Sequence, residues 1–580
     1  MILKALYDYY YRCKDKLPVY GRELKEIGFL IVIDKQGRFL RFEDRRIDKK
    51  RAQQFLVRKH IGRTSAIAAN CLYDNSGYVF GYSEKGDATA QNRCFKKMVD
   101  DIFEKHPGQA DITAVHHFYQ QEPTSILSQM QNDPLWPDIA KNLNKKYSTF
   151  SFLLDGATKI VAEIDELIDE EEENDGSNLH ICLVSGEKGT TVETTTATMI
   201  PGSQATAKLV AFQVSSGYDS YGKSKGGNAP ICEEAEFAYT TALNHLLASD
   251  SRNKFLIGTR TYLFWASKND EAGQQAEDSF FSMFGFSEQE DDPNRNIEQV
   301  RKVFKSIYTG ELNTTSDDTF YILGLAPNAA RIAVTYWAEI PLRQFAETIC
   351  RHFDDMEVAD TRIDKKPYMT LRNILSAVTL GGKPADATPN LPDAVVKSIF
   401  QGLPYPQTLF ASCIRRIRAE SSKEKFEEAR RKGYIITRAA IIKAYLNRLN
   451  DNEQRIKVML DKDNTNQGYL CGRLFAVLDK IQEEANNQHS IRERYMNSAS
   501  STPAAVFSTI LNLSNHHAEN LKNEGRKIHF EKLKQEIISK IDADGFKTQL
   551  DLQDQGCFFI GYYHQRQDFF MKNEENNNEQ

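Results

Sequence analysis

The segment Gly217–Ser224 carries the most recognisable chemistry in this chain. It reads Gly-Tyr-Asp-Ser-Tyr-Gly-Lys-Ser and fits the phosphate-loop pattern G-x-x-x-x-G-K-[ST] letter for letter. In a nucleotide-hydrolysing enzyme, a helix begins at the Lys-Ser pair, so that its first amides and its dipole face the phosphates. This pattern, taken alone, predicts an ATPase.

The residues after the loop oppose that assignment. Lys225 to Pro230 intervene before a helix can begin, and Pro230 suits the first turn of that helix, too late for phosphate geometry. Glu233 and Glu234 place negative charge at the helix start, where it repels a triphosphate. The sequence also lacks a convincing hydrophobic strand ending in an Asp that would complete a magnesium site.

A second interpretation of this segment is a Gly/Lys loop that contacts nucleic acid. Lys223 and Lys225 can approach a phosphate backbone, while the neighbouring glycines allow close backbone contact. The alternative is a surface hairpin loop with two solvated lysines.

A basic patch between Arg38 and Arg63 is the clearest electrostatic feature. Ten Lys or Arg residues stand against three acidic ones, a local balance of +7 in a chain with a formal net charge of −6. Such a patch supplies affinity for phosphates without sequence preference, and a solvated basic face is the alternative. We predict duplex contacts from Arg41, Arg45, Arg46, Lys50, Lys59 and Arg63.

Small polar residues follow the patch and can read base edges. Ser65, Asn70 and Asn75 could hydrogen-bond to bases once the patch has docked the duplex. Asparagines near glycine also cap helices and turns, so Asn70 and Asn75 have a structural alternative.

A second basic cluster precedes a helical region. Its cations could line a groove for displaced single-stranded DNA, with Phe426 or Tyr434 for base stacking. With four glutamates interspersed, an exposed helix with i to i+4 ion pairs explains the pattern equally well. The candidate residues are Arg415, Arg416, Arg418, Arg430, Arg431 and Lys432.

Other chemistry is not supported by the sequence. The nine cysteines contain no C-x-x-C pair, and the adjacent pairs His116-His117 and His516-His517 point to different sides of a helix, so we expect no metal, cofactor or catalytic site. The N-terminus lacks a long apolar segment, and no stretch approaches the roughly 18 apolar residues that cross a bilayer. We expect a cytoplasmic protein without a membrane partner.

The elements that must position these residues predict an α+β fold. Branched and aromatic runs bounded by turn residues indicate strands, and a 3.6-residue period indicates helices from Thr437 to Lys547. We predict a mixed body over 1–345, a basic connector over 346–436 and a helical bundle over 437–580, with a disordered tail from about 571. The predicted strands are Ile27–Ile33 and Arg38–Phe42, which form a hairpin, and Leu179–Val184, Lys208–Val214, Phe255–Trp265, Phe320–Leu325 and Ile332–Trp337; Glu233–Leu247 is a predicted helix.

Several longer stretches resemble one known family. They are HIGRTSAIAANCLYDNSGYVFG at His60–Gly81, GGNAPICEEAEFAYTTALNHLL at Gly226–Leu247 and FYILGLAPNAARIAVTYW at Phe320–Trp337. The opening MILKALYDYYYR and the later YLCGRLFAVLDKIQ add to the likeness. Together they resemble the large subunit of the type I-C CRISPR surveillance complex, Cascade.

The resemblance implies a non-catalytic DNA-recognition subunit. Such a subunit binds the guide-RNA ribonucleoprotein backbone, recognises the motif beside a double-stranded DNA target, helps open the duplex and stabilise the R-loop, and recruits a helicase-nuclease. It favours DNA contacts in the N-terminal region and from Lys223, Lys225 and Asn228. It also implies a small subunit made from an internal start, for which Met459 is the candidate. An ATPase and a purely architectural RNA-protein subunit are the competing classes.

Overall fold

The structure is a computed structural model. It describes residues 1–49, 51–61, 63, 67–83, 86–145, 147–168, 179–198, 200–212, 219, 221–248, 250–284, 297–315, 317–362, 368–449, 455–486 and 490–578. The chain divides into two compact units. Leu3–Thr196 and Phe212–Leu243 form the N-terminal unit, and Ala197–Ala211 with Asn244–Gln580 forms the C-terminal unit. The functional division at residues 345 and 436 stays a prediction.

The N-terminal unit is built on a four-stranded sheet in the order β3-β2-β6-β5, accompanied by the two-stranded pairs β1-β4 and β7-β8. Its elements are α1 (Ile2–Arg12), β1 (Arg22–Glu26), β2 (Phe29–Ile33), β3 (Phe39–Asp44), β4 (Gln54–Arg58), β5 (Tyr73–Asp74), α2 (Ser76–Val79), α3 (Thr89–Lys105), α4 (Ala110–Gln120), α5 (Pro123–Gln131), α6 (Trp136–Asn142), β6 (Phe150–Leu154), α7 (Asp165–Ile168), β7 (Leu179–Ile181), β8 (Lys188–Thr190) and α8 (Glu233–Leu247).

Burial of β2 and β6 fixes the centre of this sheet. Both strands are apolar almost throughout and buried on both faces, and they pair in parallel. A parallel pair needs a long crossover, which here is supplied by α3 to α6. Phe29 stacks on Phe150 at a ring distance of 5.5 Å, so the two strands share one aromatic core.

The C-terminal unit combines an antiparallel sheet, in the order β12-β11-β10-β9, with a helical region. Its elements are β9 (Lys254–Ile257), β10 (Arg260–Ala266), α9 (Glu271–Phe284), α10 (Ile297–Thr309), β11 (Thr319–Asn328), β12 (Arg331–Pro341), α11 (Leu342–Met356), α12 (Leu371–Val378), α13 (Leu391–Phe400), α14 (Gln407–Ala419), α15 (Lys423–Arg431), α16 (Tyr434–Leu449), α17 (Gln467–Asn486), α18 (Ser490–Ala499), α19 (Pro503–Glu519), α20 (Glu524–Ile538) and α21 (Leu552–Asn578).

Helices α17 and α21 pack closely because glycines stand where they cross. A Cβ atom on Gly472 would lie 1.9 Å from the carbonyl oxygen of Phe558, and one on Gly561 would lie 2.3 Å from that of Tyr469. Neither distance is compatible with any larger residue unless the backbones separate. The glycine in the YLCGRLFAVLDKIQ stretch therefore has a packing role.

These elements confirm the α+β class and most of the predicted elements. The hairpin at residues 27–42, the helix α8 and the helical C-terminal region are present. The run Phe255–Trp265 is two strands, because Gly258, with a φ of 58°, turns the chain between them.

One predicted strand is wrong over its described part. Within Lys208–Val214, Lys208 forms only an isolated bridge with Arg331, and the residues up to 212 are irregular. Residues 213 and 214, the last two of this predicted strand, lie outside the described part of the chain. Arg331 is the first residue of β12, and the Ile332 N–H donates to the Lys208 carbonyl at 3.2 Å, so the described segment meets β12 at one point and does not extend the sheet. Helix α21 continues to Asn578, past residue 571, where the sequence predicts disorder.

Two histidines, His352 and His564, are fully buried in the C-terminal unit. His352 donates from Nε2 to the Met369 carbonyl (3.0 Å), and its Nδ1 lies 2.7 Å from the Tyr405 hydroxyl, which can donate to the neutral ring. Burial lowers the pKa of His352, and of His564, to about 3. A histidine with a depressed folded-state pKa binds fewer protons folded than unfolded, so its contribution to stability is lost as pH falls below about 6.5.

We expect the free energy of unfolding to fall by about 1.4 kcal/mol per histidine for each pH unit between 6.5 and 5. Thermal unfolding at pH 7.5, 6 and 5 measures this. His352→Gln should flatten the dependence, since an amide can make both hydrogen bonds without titrating. His516→Gln, at an exposed histidine, is the matched control. Identical slopes in both variants would contradict the assignment.

Candidate nucleic-acid interface

The first part of the predicted basic patch lies on β3 and the turn after it. Arg41 donates to Glu43 at 2.9 Å and to Asp155 at 3.0 Å, and Arg45 donates to Glu43 at 2.6 Å. Hydrogen bonds to Asp155 and Glu43 raise the pKa of Arg41. Both guanidinium groups are half-exposed and already paired with carboxylates.

Arg46 is held more firmly than its neighbours. It donates to Asp44 at 2.8 Å, is paired with Asp138, and lies over the Phe29 ring at 5.0 Å. The hydrogen bonds from Arg46 are the largest cause lowering the pKa of Asp44. This arginine anchors β3 to α6, and only 19% of its side chain is exposed.

The local balance of +7 therefore overstates the charge of the patch. Asp138 and Asp155 come from distant parts of the sequence and offset two of its arginines. A count along the sequence could not include them. The phosphate contacts of Arg41, Arg45 and Arg46 stay a prediction, and each would require an arginine to exchange or share a carboxylate.

Asp74 organises the polar residues that follow the patch. Its buried carboxylate pairs with both terminal nitrogens of Arg63 and accepts backbone N–H groups from Asn70 (3.0 Å) and Asn75 (2.9 Å). The Arg63 guanidinium lies 4.0 Å from the Tyr78 ring centroid. Burial lowers the pKa of Arg63, but the pair with Asp74 outweighs it, so the pKa is raised.

Asn70 and Asn75 have the structural role that the sequence offered as the alternative to base contacts, since their side chains accept hydrogen bonds from backbone N–H groups. The Asn70 side chain accepts from the Ile61 N–H at 2.9 Å, and the Asn75 side chain caps α2 through the Gly77 N–H at 3.0 Å. Each keeps its side-chain NH₂ as a potential donor. Lys50 and Ser65, also predicted here, lie outside the described residues.

The first turn of α8 supplies acidic anchors for the N-terminal unit. Glu236, which is buried, accepts from Lys59 at 3.3 Å and from the Thr196 N–H at 2.6 Å. Lys59 also lies 5.5 Å from the Phe237 ring centroid. Lys59, which the sequence predicts to contact DNA, is thus bound to Glu236 and Phe237 of α8.

Gly217, Tyr218 and Ser220 of the predicted phosphate loop lie outside the described residues. The described part of the Gly/Lys loop ends in a short 3₁₀ turn at Lys225–Asn228, not in a helix start. Asp219 accepts from the Lys225 N–H (3.2 Å) and from the Asn228 side chain (2.8 Å), and Lys225 pairs with Glu193 at 2.7 Å. Helix α8 begins only at Glu233, so its amides do not meet the Lys-Ser pair. Lys223 is exposed and has no ion pair with any described residue.

The second basic cluster divides into cations directed inward, cations paired with carboxylates, and free cations. Arg418 is directed inward, donating to Ser500 (3.2 Å) and Gln555 (3.0 Å), and burial lowers its pKa. Arg416 pairs with Glu420. Lys432 pairs with Glu428 at 2.6 Å, as the helix-pair alternative predicts.

Two cations of this cluster remain available. Arg415 on α14 and Arg431 on α15 are exposed and form no ion pair within the described parts of the chain. Arg430 is exposed and has only a 3.5 Å contact with Glu427. A separate cleft of about 350 Å³ is lined by residues that include Arg416, Lys425 and Lys432, together with Glu420 and Glu428.

Sequence reasoning missed the acidic partners that define this geometry. Glu236, Asp138, Asp155 and Asp219 each hold a residue that was predicted to contact DNA. Only Asp219 is close in sequence to the residues it holds, and it could have been noticed as an acceptor for a glycine-rich turn.

The described residues provide neither a metal-binding group nor a membrane-spanning helix. Among the described residues, no three His, Cys, Asp or Glu side chains are grouped to hold a metal ion. No helix in that part of the chain is both long and apolar enough to cross a membrane.

These features define an α+β protein with paired basic surfaces and a few uncommitted cations. The chain belongs to the CRISPR-associated protein (Cas_Csd1) family, whose match covers residues 6–570. A search of curated proteins found no match. The resemblance carried by the three motifs is thus confirmed at the level of a CRISPR-associated protein.

Proposed function

We propose that this chain is the large subunit of a type I-C CRISPR surveillance complex and recognises the motif beside a DNA target. Membership of the Cas_Csd1 family over nearly the whole chain is the observation that carries the proposal. In such complexes the guide RNA supplies sequence specificity by pairing, while a protein subunit reads the adjacent motif and nucleates strand separation. The chain acts by binding and positioning, and catalyses no reaction.

The distribution of paired and free cations supports separate roles for different residues. An arginine that is paired with a carboxylate must break or share that pair to bind a phosphate, which costs part of the DNA-binding energy. We therefore assign the paired arginines mainly to holding the N-terminal surface in shape. An uncommitted cation such as Lys223 can neutralise a phosphate without losing a partner. Arg415 and Arg431 have the same property and are the best candidates for holding the displaced strand.

The central test is target binding by the guide-RNA complex assembled with and without this chain. Matched duplexes carrying or lacking candidate adjacent motifs are compared at two salt concentrations. A motif preference that requires the chain supports recognition. If binding and preference are unchanged by its omission, the proposal fails and an architectural role replaces it.

Lys223→Glu tests the Gly/Lys loop. We expect target-duplex affinity to fall about tenfold and the slope of log K against log salt to decrease by about one, since one phosphate contact is lost. Lys522→Glu, at an exposed lysine on the C-terminal unit, is the matched charge control. ATP hydrolysis by the purified chain is measured alongside. Hydrolysis that is lost in Lys223→Glu would favour the enzyme class.

We also propose that a small subunit begins at Met459. Met459 lies on an exposed segment before α17, and a chain of 122 residues from this point would contain α17 to α21. The close packing of α17 on α21 lies entirely within that product. Mass spectrometry of protein made from the native message should find it, and a Met459→Leu codon change should remove it. Finding only the full-length chain from the native message would contradict this start.

A further inference from the structure

Two buried cysteines lie side by side in the N-terminal unit, although they are far apart in sequence. The Cys182 sulfur accepts the backbone N–H of Cys232 at 3.2 Å and that of Val184 at 3.4 Å. The backbone around them is also joined, since the Leu183 N–H donates to the Pro230 carbonyl at 2.9 Å. Cys182 is 1% exposed and Cys232 is 9% exposed.

The environments of the two sulfurs differ in a way that suits thiol exchange. Burial raises the pKa of Cys182, but backbone N–H donors outweigh it and lower the pKa to about 7. Burial and a hydrogen bond to Cys182 raise the pKa of Cys232. One sulfur is thus stabilised as a thiolate and the other is the more accessible.

We propose that Cys182 and Cys232 form an intramolecular disulfide when the chain meets a low-molecular-weight disulfide. This goes beyond the proposed function, because it concerns neither the guide RNA nor the target. Sequence spacing gave no signal for it, since no C-x-x-C pattern is present. The juxtaposition arises only because residues 182–184 lie alongside residues 230–232 in the fold.

The small disulfide accepts the two electrons that the two protein thiols lose. Cys232 loses its proton to water, attacks one sulfur of the small disulfide and releases one small thiolate, which is protonated. The Cys182 thiolate then attacks the Cys232 sulfur and releases the second small thiol. Two protein thiols are oxidised, and one small disulfide is reduced to two thiols.

The new bond would close a ring around the Gly/Lys loop. Residues 183–231 lie inside that ring, including Lys223, Lys225 and Asn228. A cross-link restricts the unfolded states of the segment that it encloses. Oxidation would therefore link covalently the two ends of the segment that contains the loop we propose for DNA contact.

The experiment treats the reduced full-length chain with glutathione disulfide at neutral pH. We expect alkylatable thiols, counted after unfolding, to fall by two from nine. A non-reduced peptide map should contain Cys182 linked to Cys232. Trypsin cleavage after the exposed Lys223 should leave fragments that stay joined on a non-reducing gel and separate after reduction.

Two variants test the assignment of the pair. The peptide map of the unsubstituted chain tests the disulfide even if a variant fails to fold. Cys232→Ser should abolish the link, whereas Cys413→Ser, at a buried cysteine whose pKa is raised to about 12, should leave it intact. The proposal is overturned if nine thiols remain. It is also overturned by a different pairing, or by a glutathione adduct that persists on Cys232 while Cys182 stays free.

Discussion

Gly472→Ala is expected to destabilise the C-terminal unit by about 3 kcal/mol or more. The added methyl group would lie 1.9 Å from the Phe558 carbonyl oxygen, and a backbone atom in a packed helix cannot move aside as a side chain can. Alanine is the better helix former by about 1 kcal/mol, so propensity alone predicts the opposite sign. Urea unfolding of the full chain measures the difference.

Gly525→Ala is the matched control for this substitution. Gly525 stands near the start of α20, where the nearest atom to an added Cβ is a side-chain atom, the Oδ1 of the capping residue Asn523, at 3.1 Å. We expect no loss of stability, or a gain of up to about 1 kcal/mol. Equal behaviour of the two variants would mean that α17 and α21 do not approach as closely as described. Gly472→Ala should also lower the yield of the proposed small subunit, since α17 and α21 both lie within it.

Arg448→Met is expected to cost about 3–5 kcal/mol of stability. Arg448 is 1% exposed and pairs with Asp355 at 2.6 Å, and the same guanidinium donates to the Ser398 and Leu403 carbonyls at 2.6 Å each. Methionine fills similar space but leaves a buried carboxylate and two carbonyls without their donor. Thermal and urea unfolding at pH 7.5 both report the loss.

Arg301→Met is the matched control for Arg448→Met. It removes an arginine that is also paired with carboxylates but is more exposed to solvent. Arg301 pairs with Asp354 at 2.7 Å and Glu357 at 3.2 Å, but 31% of its side chain is exposed. An ion pair this accessible contributes about 1 kcal/mol or less. A loss in Arg301→Met as large as that in Arg448→Met would contradict the view that desolvation decides the cost.

Local patterns predict those elements whose causes are local. The hairpin β2–β3 follows from an apolar run and the turn Asp34 to Gly37, and α8 follows from its periodicity after Pro230. Lys208–Val214 has equally good strand composition, yet over its described part it meets β12 only at Lys208 and does not extend the sheet. Sheet membership depends on a partner, and the partner is not part of the local sequence.

The candidate site shows the same limit more sharply. The sequence identifies the cations of the basic patch, and it identifies the structural alternative for Asn75, which caps α2. It does not reveal that Arg46 meets Asp138 or that Lys59 meets Glu236, because those pairs bridge long separations. The positive charge that is available to bind DNA depends on which cations pair with acidic residues in the folded protein. It can therefore be determined only once the structure is known.

The order of synthesis imposes a delay on the N-terminal unit. Tyr10 and Tyr20 pack against Phe237 of α8, at ring distances of 5.8 and 5.5 Å. The ribosome reaches Phe237 only after the chain has passed Thr196 and made a segment that belongs to the other unit. At about 5–20 residues per second, the interval between Thr196 and Phe237 lasts about 2 to 8 seconds. During that interval Tyr10 and Tyr20 lack the Phe237 ring on which they pack, so two aromatic side chains of the nascent N-terminal unit are without this contact.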